Sequence, residues 1–219
     1  MTSSYSCKII QGLNYITKKE IKPVYYSDSK REAILVPITH FGQKEFYSDL
    51  TDSIKHWKRN DYRIYYEIIK KIPDEINVDK VYHRKLRWIN GGVIPSRETY
   101  AEGEELFENA MAQPKWVDMG ITETDLNADV SLKEIIEEYE RLYGTINLSE
   151  CDWSTPMDAS VDEYECSIKS KNKLSPVTVD YRNEEVVNYV NQNQDKKIVI
   201  IYGAAHIKGI LKLLKKNRQ

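Results

Sequence analysis

Cysteine is scarce in this sequence, which contains only Cys7, Cys151 and Cys166 among its 219 residues. Three cysteines are too few for a disulfide framework, and their spacing matches no zinc-binding motif. The pattern therefore favours buried or surface thiols. A disulfide between Cys151 and Cys166, formed in an oxidising compartment, is the alternative.

Long apolar runs are absent as well. No stretch approaches the roughly 20 residues that a membrane-spanning helix needs, so no transmembrane segment is expected. The first residues, Met1 to Cys7, lack the apolar segment of a signal peptide, which predicts a cytoplasmic protein. A chain from which a signal had been removed would look the same. A periplasmic protein, or a lipoprotein anchored through Cys7, is therefore the alternative.

Neither sign of charge is in excess. The sequence has 32 basic and 34 acidic side chains, which gives a formal net charge of −2. This balance argues against nucleic acid as the main partner, because nucleic-acid binding depends on clustered positive charge. We expect a small-molecule or peptide substrate instead, and the composition predicts no particular oligomeric state.

Apolar strands and amphipathic helices alternate in the first third of the chain. Residues 7–26 favour a strand or hairpin at a sheet edge, and Ala33 to His40 reads as a buried strand whose pairing should end near Pro37. An amphipathic helix is predicted over about 43–59, followed by a second strand over 62–67. This order predicts parallel strands joined by a right-handed crossover.

The middle of the chain predicts helices. Segments 81–90, 97–112 and 131–143 have helical spacing, and Ser131 with Glu134 forms a capping box for the last of them. A further helix opening near Asp180, a buried strand over 197–202 and a final helix complete the chain. The expected fold is α/β, with a mostly parallel or mixed central sheet flanked by helices. We expect a single domain over 1–219, with a helical insertion at about 81–175.

Three chemically versatile side chains follow predicted strands. His40 ends the first buried strand, Glu67 ends the second, and His206 follows the strand 197–202 across the turn Gly203-Ala204-Ala205. Small residues at that turn leave room for close approach. Because the carboxyl ends of parallel strands meet at one edge of a sheet, these side chains are expected to converge there.

Two histidines and a carboxylate suit two kinds of chemistry. They form a familiar ligand set for a catalytic divalent metal with one position open to water. Without metal, one histidine acts as the base and Glu67 orients it. A histidine that merely packs against the turn is the alternative for His206. Arg182, at a predicted helix start where its charge opposes the dipole, would stabilise an oxyanion or clamp Glu67, or else pair at the surface with Glu184 or Glu185.

These residues, in this order, resemble the TraB/GumN (TIKI) family, which is related to the erythromycin-esterase and ChaN-like proteins. That family has Gly-x-x-His after the first core strand, Glu ending the next strand, Arg before the penultimate helix and a second Gly-x-x-His near the C-terminus. Here Glu67, Arg182 and Gly203-Ala204-Ala205-His206 match. The first motif departs, because Pro37 stands where the family has Gly.

The resemblance implies hydrolase chemistry, which is metal-dependent proteolysis in some members and ester hydrolysis in relatives. It implies a hydrolase of peptide or ester bonds that uses His40, Glu67, Arg182 and His206. A divalent Mn, Co or Zn ion would be held by His40, Glu67 and His206. The altered first motif leaves a second hypothesis, a non-catalytic protein that binds a small molecule, a metal or haem on the same fold.

Overall fold

A computed structural model describes residues 21–70, 76–92, 109–159, 163–166 and 174–216. The chain divides into two compact units. The first comprises residues 1–67, 96–128 and 189–219, and the second comprises residues 68–95 and 129–188. The predicted insertion at 81–175 is therefore shared between the units, because its residues 96–128 belong to the first.

The strands and helices of the described residues are bounded as follows. The strands are β1 (Val24–Ser27), β2 (Glu32–Ile38), β3 (Phe41–Gln43), β4 (Arg63–Tyr66), β5 (Ala110–Ala112), β6 (Leu126–Asn127) and β7 (Lys197–Gly203). The helices are α1 (Lys44–Arg59), α2 (Ile76–Ile89), α3 (Leu132–Tyr143), α4 (Glu150–Ser154), α5 (Arg182–Gln192) and α6 (Ala204–Lys216), and a π-helical turn (Pro176–Tyr181) precedes α5.

The first unit contains a five-stranded sheet in the order β1-β2-β7-β4-β6. β1 runs antiparallel to β2, and the other neighbouring pairs are parallel. The predicted α/β class with a mixed sheet flanked by helices is confirmed. β7 lies at the centre because its apolar run, Ile198 to Ile201, is fully buried between two neighbours.

Helix α1 covers one face of this sheet. Its apolar positions Phe46, Leu50, Ile54 and Trp57 recur at the spacing of one helical face, as predicted, and all four are buried. They belong to a core cluster with strand side chains from β2, β4 and β7. Helix α6 packs against β2. These two helices therefore cover the strands β2, β4 and β7 whose carboxyl ends precede His40, Glu67 and His206.

Several local predictions in the first unit need correction. β2 continues past Pro37 to Ile38, which lies in register with Gly203 of β7. Phe41 to Gln43 forms β3, which pairs with β5, so the predicted helix over 97–112 is wrong at 110–112. The rest of that segment up to residue 108 lies outside the described residues, as do residues 7–20 of the predicted edge strand.

The second unit is helical in its described parts. The capping box of Ser131 and Glu134 at the start of α3 is confirmed. Helix α2 begins at Ile76, earlier than predicted, and packs against α3. Cys151 and Cys166 form a disulfide in this unit, so the expectation of thiols is wrong for these two and the alternative pairing is observed.

Within the described ranges, no helix has the length and apolar character to cross a membrane.

Candidate active site

His206 occupies the position that the sequence predicts. It is the third residue of α6, which begins directly where β7 ends at Gly203. The side chain is buried, with 5% of its surface exposed. Its ring meets the ring of Tyr202 edge-on, with 5.6 Å between centroids. A buried histidine in the first helical turn has a fixed position and lies in the positive field of the helix dipole.

Glu67 follows β4 and is fixed through its backbone. Its N–H donates to the carbonyl of Ile201 at 3.1 Å, which extends the β4–β7 ladder by one bond. Its carbonyl accepts a hydrogen bond from the indole Nε1 of Trp116 at 3.0 Å. Held from both sides, the residue directs its carboxylate toward the turn that ends β7.

The carboxylate of Glu67 meets the backbone of Gly203. Gly203 N–H donates a hydrogen bond to Glu67 Oε2. A Cβ atom at position 203 would lie 3.1 Å from that oxygen and 3.4 Å from Cδ2 of His206. Glycine is therefore the residue that lets the carboxylate reach the backbone, as the small residues of the predicted turn suggested.

Glu67 and His206 form a buried pair at the carboxyl edge of the sheet. Nε2 of His206 lies 3.7 Å from Oε1 of Glu67, and Glu67 is 7% exposed. This separation exceeds a direct hydrogen bond but suits two groups that share one water at about 2.8 Å from each. The start of α6 attracts the carboxylate, whereas it disfavours a charged imidazole unless Glu67 compensates.

His40 lies at the same edge but in different surroundings. It follows β2, which neighbours β7 on the side opposite to β4. Its side chain is exposed, and its Nδ1 is 3.0 Å from Oε1 of Gln113. The backbone carbonyl of His40 also accepts a hydrogen bond from the N–H of Gln113. The segment after β5 therefore fixes His40 through its backbone and its ring.

Arg182 belongs to the second unit and forms a strong ion pair there. Its Nε donates to Oδ1 of Asp129 at 2.9 Å, and its Nη2 donates to Oδ2 at 2.6 Å. It is only 9% exposed, so the surface pairing with Glu184 or Glu185 is wrong. The α-helix begins at Arg182, close to the predicted start, but the π-helical turn runs directly into it, so Arg182 does not lie at a free helix end. A bidentate carboxylate largely neutralises this guanidinium.

The residues at the sheet edge offer two donors to a metal ion, the carboxylate of Glu67 and the imidazole of His206. Among the residues that the structure describes, no group of three or more His, Cys, Asp or Glu side chains could hold a metal ion. The predicted three-residue ligand set with His40 is therefore not assembled in these ranges. The divalent ion stays a prediction, which elemental analysis tests.

Sequence reasoning missed three partners of the predicted residues. They are Trp116 on the backbone of Glu67, Gln113 on His40, and Asp129 on Arg182. Each is more than 45 positions from its partner in the chain. Asp129 stands two residues before a recognisable capping box, which gives no sign of its role. Only the three-dimensional arrangement identifies these contacts.

Comparison with known proteins adds no relative: no family model, curated protein or solved structure matches this chain. The resemblance to the TraB/GumN family accordingly stays a hypothesis that rests on its short motifs. What is established for this chain is the α/β fold, together with a buried glutamate–histidine pair at the carboxyl edge of its sheet.

Proposed function

We propose that this protein is a hydrolase of peptide or ester bonds in which Glu67 and His206 activate water, as the resemblance to the TraB/GumN family implies. The observation that carries the proposal is the buried approach of His206 Nε2 to Glu67 Oε1, at 3.7 Å, with Glu67 Oε2 fixed by the N–H of Gly203. The carboxyl edge of parallel strands is where ligands bind in open α/β sheets.

In this mechanism one water lies within hydrogen-bonding reach of both side chains. His206 takes a proton from the water through Nε2, and the water oxygen adds to the substrate carbonyl carbon. The nearby carboxylate of Glu67 stabilises the imidazolium against the field of α6. The imidazolium then gives its proton to the leaving nitrogen or oxygen as the bond to carbon breaks.

The proposal is tested with Glu67→Gln and His206→Ala beside the wild type on panels of fluorogenic peptides and esters. Glutamine keeps an oxygen for the N–H of Gly203 but carries no charge to stabilise the imidazolium. We expect each variant to lose roughly 100-fold or more in kcat/KM, in the range typical of acid–base residues. His56→Ala is the matched control, because His56 is an exposed histidine on α1.

A folded Glu67→Gln variant with wild-type activity contradicts the mechanism. Melting curves of both variants separate loss of catalysis from loss of fold. Elemental analysis and assays with Mn²⁺, Co²⁺ or Zn²⁺ test the metal-dependent form. Two results together would favour Glu67 and His206 as metal ligands over the metal-free mechanism. Activity would require the ion, and His206→Ala would abolish a stoichiometric amount of bound metal.

The alternative function is ligand binding without catalysis. The observation that favours it is Arg182, which the resemblance assigns to catalysis but which Asp129 holds in a buried bidentate pair. A binding protein needs His206 only as a ligand or hydrogen-bonding group. Haem and divalent ions are the probes. Saturable binding that His206→Ala removes, in a chain inactive on all substrates, would support this function.

A further inference from the structure

The disulfide of the second unit lines a cavity. Cys151 and Cys166 border a space of about 420 Å³ together with Trp88, Asn147 and Glu165. The two halves of the disulfide differ in exposure. Cys151 is exposed, whereas only 6% of the surface of Cys166 is accessible. Cys151 is therefore the half of the disulfide that is more open to a thiol entering from solvent.

The hydroxyl of Thr155 stands beside the less exposed sulfur. Its Oγ1 lies 3.5 Å from Sγ of Cys166 and 2.8 Å from the carbonyl of Cys151, to which it donates. A hydroxyl rotates about its C–O bond, so the same proton can turn toward a thiolate on Cys166. This contact provides stabilisation for the sulfur that leaves when Cys151 is attacked.

Tyr164 stands two residues before Cys166 of the disulfide. Cζ of Arg87 lies over the Tyr164 ring, 4.7 Å from the centroid of that ring. The Tyr164 hydroxyl donates to Oδ1 of Asp152. Gly92 permits the approach, because a Cβ there would lie 2.8 Å from the Tyr164 ring. Arg87 is 1% exposed; its Nη1 and Nη2 donate to backbone carbonyls, and its Nε has no hydrogen-bond partner among the described residues. The Tyr164 ring shields this buried charge from solvent, and the carbonyls that accept from Arg87 compensate for part of the lost hydration.

The charges around the described part of the cavity are negative. Glu150 adjoins Cys151, Glu165 adjoins Cys166, and both are exposed. Asp152 and Glu165 are the charged side chains among the described residues that line the cavity, whereas Arg84 and Arg87 donate to the carbonyls of Asp152 and Thr155 outside that lining. Local potential therefore repels an anionic thiol and favours one that carries positive charge.

We infer that the cavity beside Cys151–Cys166 is a thiol-exchange site that accepts a neutral or cationic thiol and loosens the cover over Arg87 when it is reduced. The incoming thiolate forms a bond to Sγ of Cys151, and the Cys166 sulfur leaves as a thiolate and takes a proton. A second thiol molecule attacks the mixed disulfide and releases Cys151. The two thiols supply the two electrons and end as their own disulfide.

The test uses the full oxidised chain and three small thiols, cysteamine, 2-mercaptoethanol and 2-mercaptoethanesulfonate. Rates are compared at equal thiolate concentration and divided by the rate of each thiol with a small uncharged disulfide. We expect cysteamine to react several-fold faster than the sulfonate at low salt, with the difference shrinking in high salt. Peptide mapping of the trapped intermediate should place the added thiol on Cys151.

Two variants make the electrostatic argument specific. Glu165→Gln, at the cavity, should raise the rate with the sulfonate, whereas Glu163→Gln, an exposed glutamate outside its lining, should change it less. Reduction should speed hydrogen exchange at the α4 amides and lower the melting temperature by on the order of 10 °C. Free thiols at Cys151 and Cys166 in the unreduced protein, equal rates for all three reagents, or exchange only on global unfolding would each overturn the inference.

Discussion

At the scale of single residues, Gly203 decides whether the proposed pair can form. Its N–H is the donor that fixes Glu67, and the absence of a side chain is what admits the carboxylate. The same residue ends β7 and precedes the helix that carries His206. One position therefore connects the strand, the base and the carboxylate.

Gly203→Ala should disturb this arrangement measurably. The new methyl group would lie 3.1 Å from Glu67 Oε2, so the free energy of unfolding should fall by about 1–3 kcal/mol and catalysis should fall with it. Urea denaturation measures the first effect. Glu67→Asp in the same chain, with its shorter side chain, should recover part of the loss. If the stability losses of Gly203→Ala and Glu67→Asp simply add in the double variant, the contact between position 203 and the Glu67 carboxylate does not contribute to stability.

The pair of Arg182 and Asp129 makes a separate prediction in the second unit. Asp129→Asn leaves a guanidinium that is 9% exposed without its counter-charge, so the free energy of unfolding should fall by about 3–5 kcal/mol. The double variant Asp129→Asn with Arg182→Met should be more stable than the single variant. If it is less stable, the charge pair is not the source of the effect.

The sequence predicted Glu67 and His206 well because their positions follow from strand ends, and strand ends follow from apolar runs. His40 was placed at the right edge by the same rule. The α-helix start near Arg182 was predicted to within two residues, but the π-helical turn before it has no clear periodic signal, so the sequence placed Arg182 at a free helix end. Partners such as Asp129 and Trp116 depend on contacts between distant segments, which local patterns do not encode.

At the scale of helices and strands, capping contributes stability that the sequence shows directly. Ser131 accepts a hydrogen bond from the N–H of Glu134, and the Glu134 carboxylate accepts one from the N–H of Ser131. Ser131→Ala should lower the free energy of unfolding by about 1 kcal/mol, whereas Ser131→Asp should retain most of it. Equal losses in both variants, measured by urea denaturation, would contradict a capping role.

The segment around α4 should make the second unit sensitive to acid. Burial by itself raises the pKa of Asp152, but hydrogen bonds from Tyr164 and Ser149 outweigh it and hold the pKa below its ordinary value. A lowered folded-state pKa gives stability that is present above the unfolded pKa, near 3.8, and is lost as pH falls through the folded value. Urea midpoints between pH 5 and pH 2 should therefore fall more steeply in the wild type than in Asp152→Asn.

Element prediction succeeded where periodicity was long and failed where elements were short. The 16 residues of α1 repeat an apolar face four times, and β7 is a continuous apolar run, so both were predicted closely. β5 has three residues and β6 has two, and neither is long enough to show an alternation. Their strand character comes from pairing with β3 and β4 rather than from their own sequence.

For the whole molecule, the disulfide bears on the compartment in which the folded protein resides. A Cys151–Cys166 bond persists in an oxidising compartment and is disfavoured in a reducing one. We expect denatured, unreduced protein exported to such a compartment to bind one alkylating reagent per chain, at Cys7, and reduced protein to bind three. Three reactive thiols without reduction would instead agree with the predicted cytoplasmic location.

The position of β7 in the sheet also constrains how the protein can be synthesised. β2 and β4 both pair with β7, yet among the described strands β7 comes last in the sequence. Until the ribosome has released residues 197–203, the inner edges of β2 and β4 have no native partner, and their apolar residues stay available to other chains. Premature termination before β7 would therefore yield a sheet without its centre, so we expect the nascent chain to need a chaperone until β7 has emerged from the ribosome.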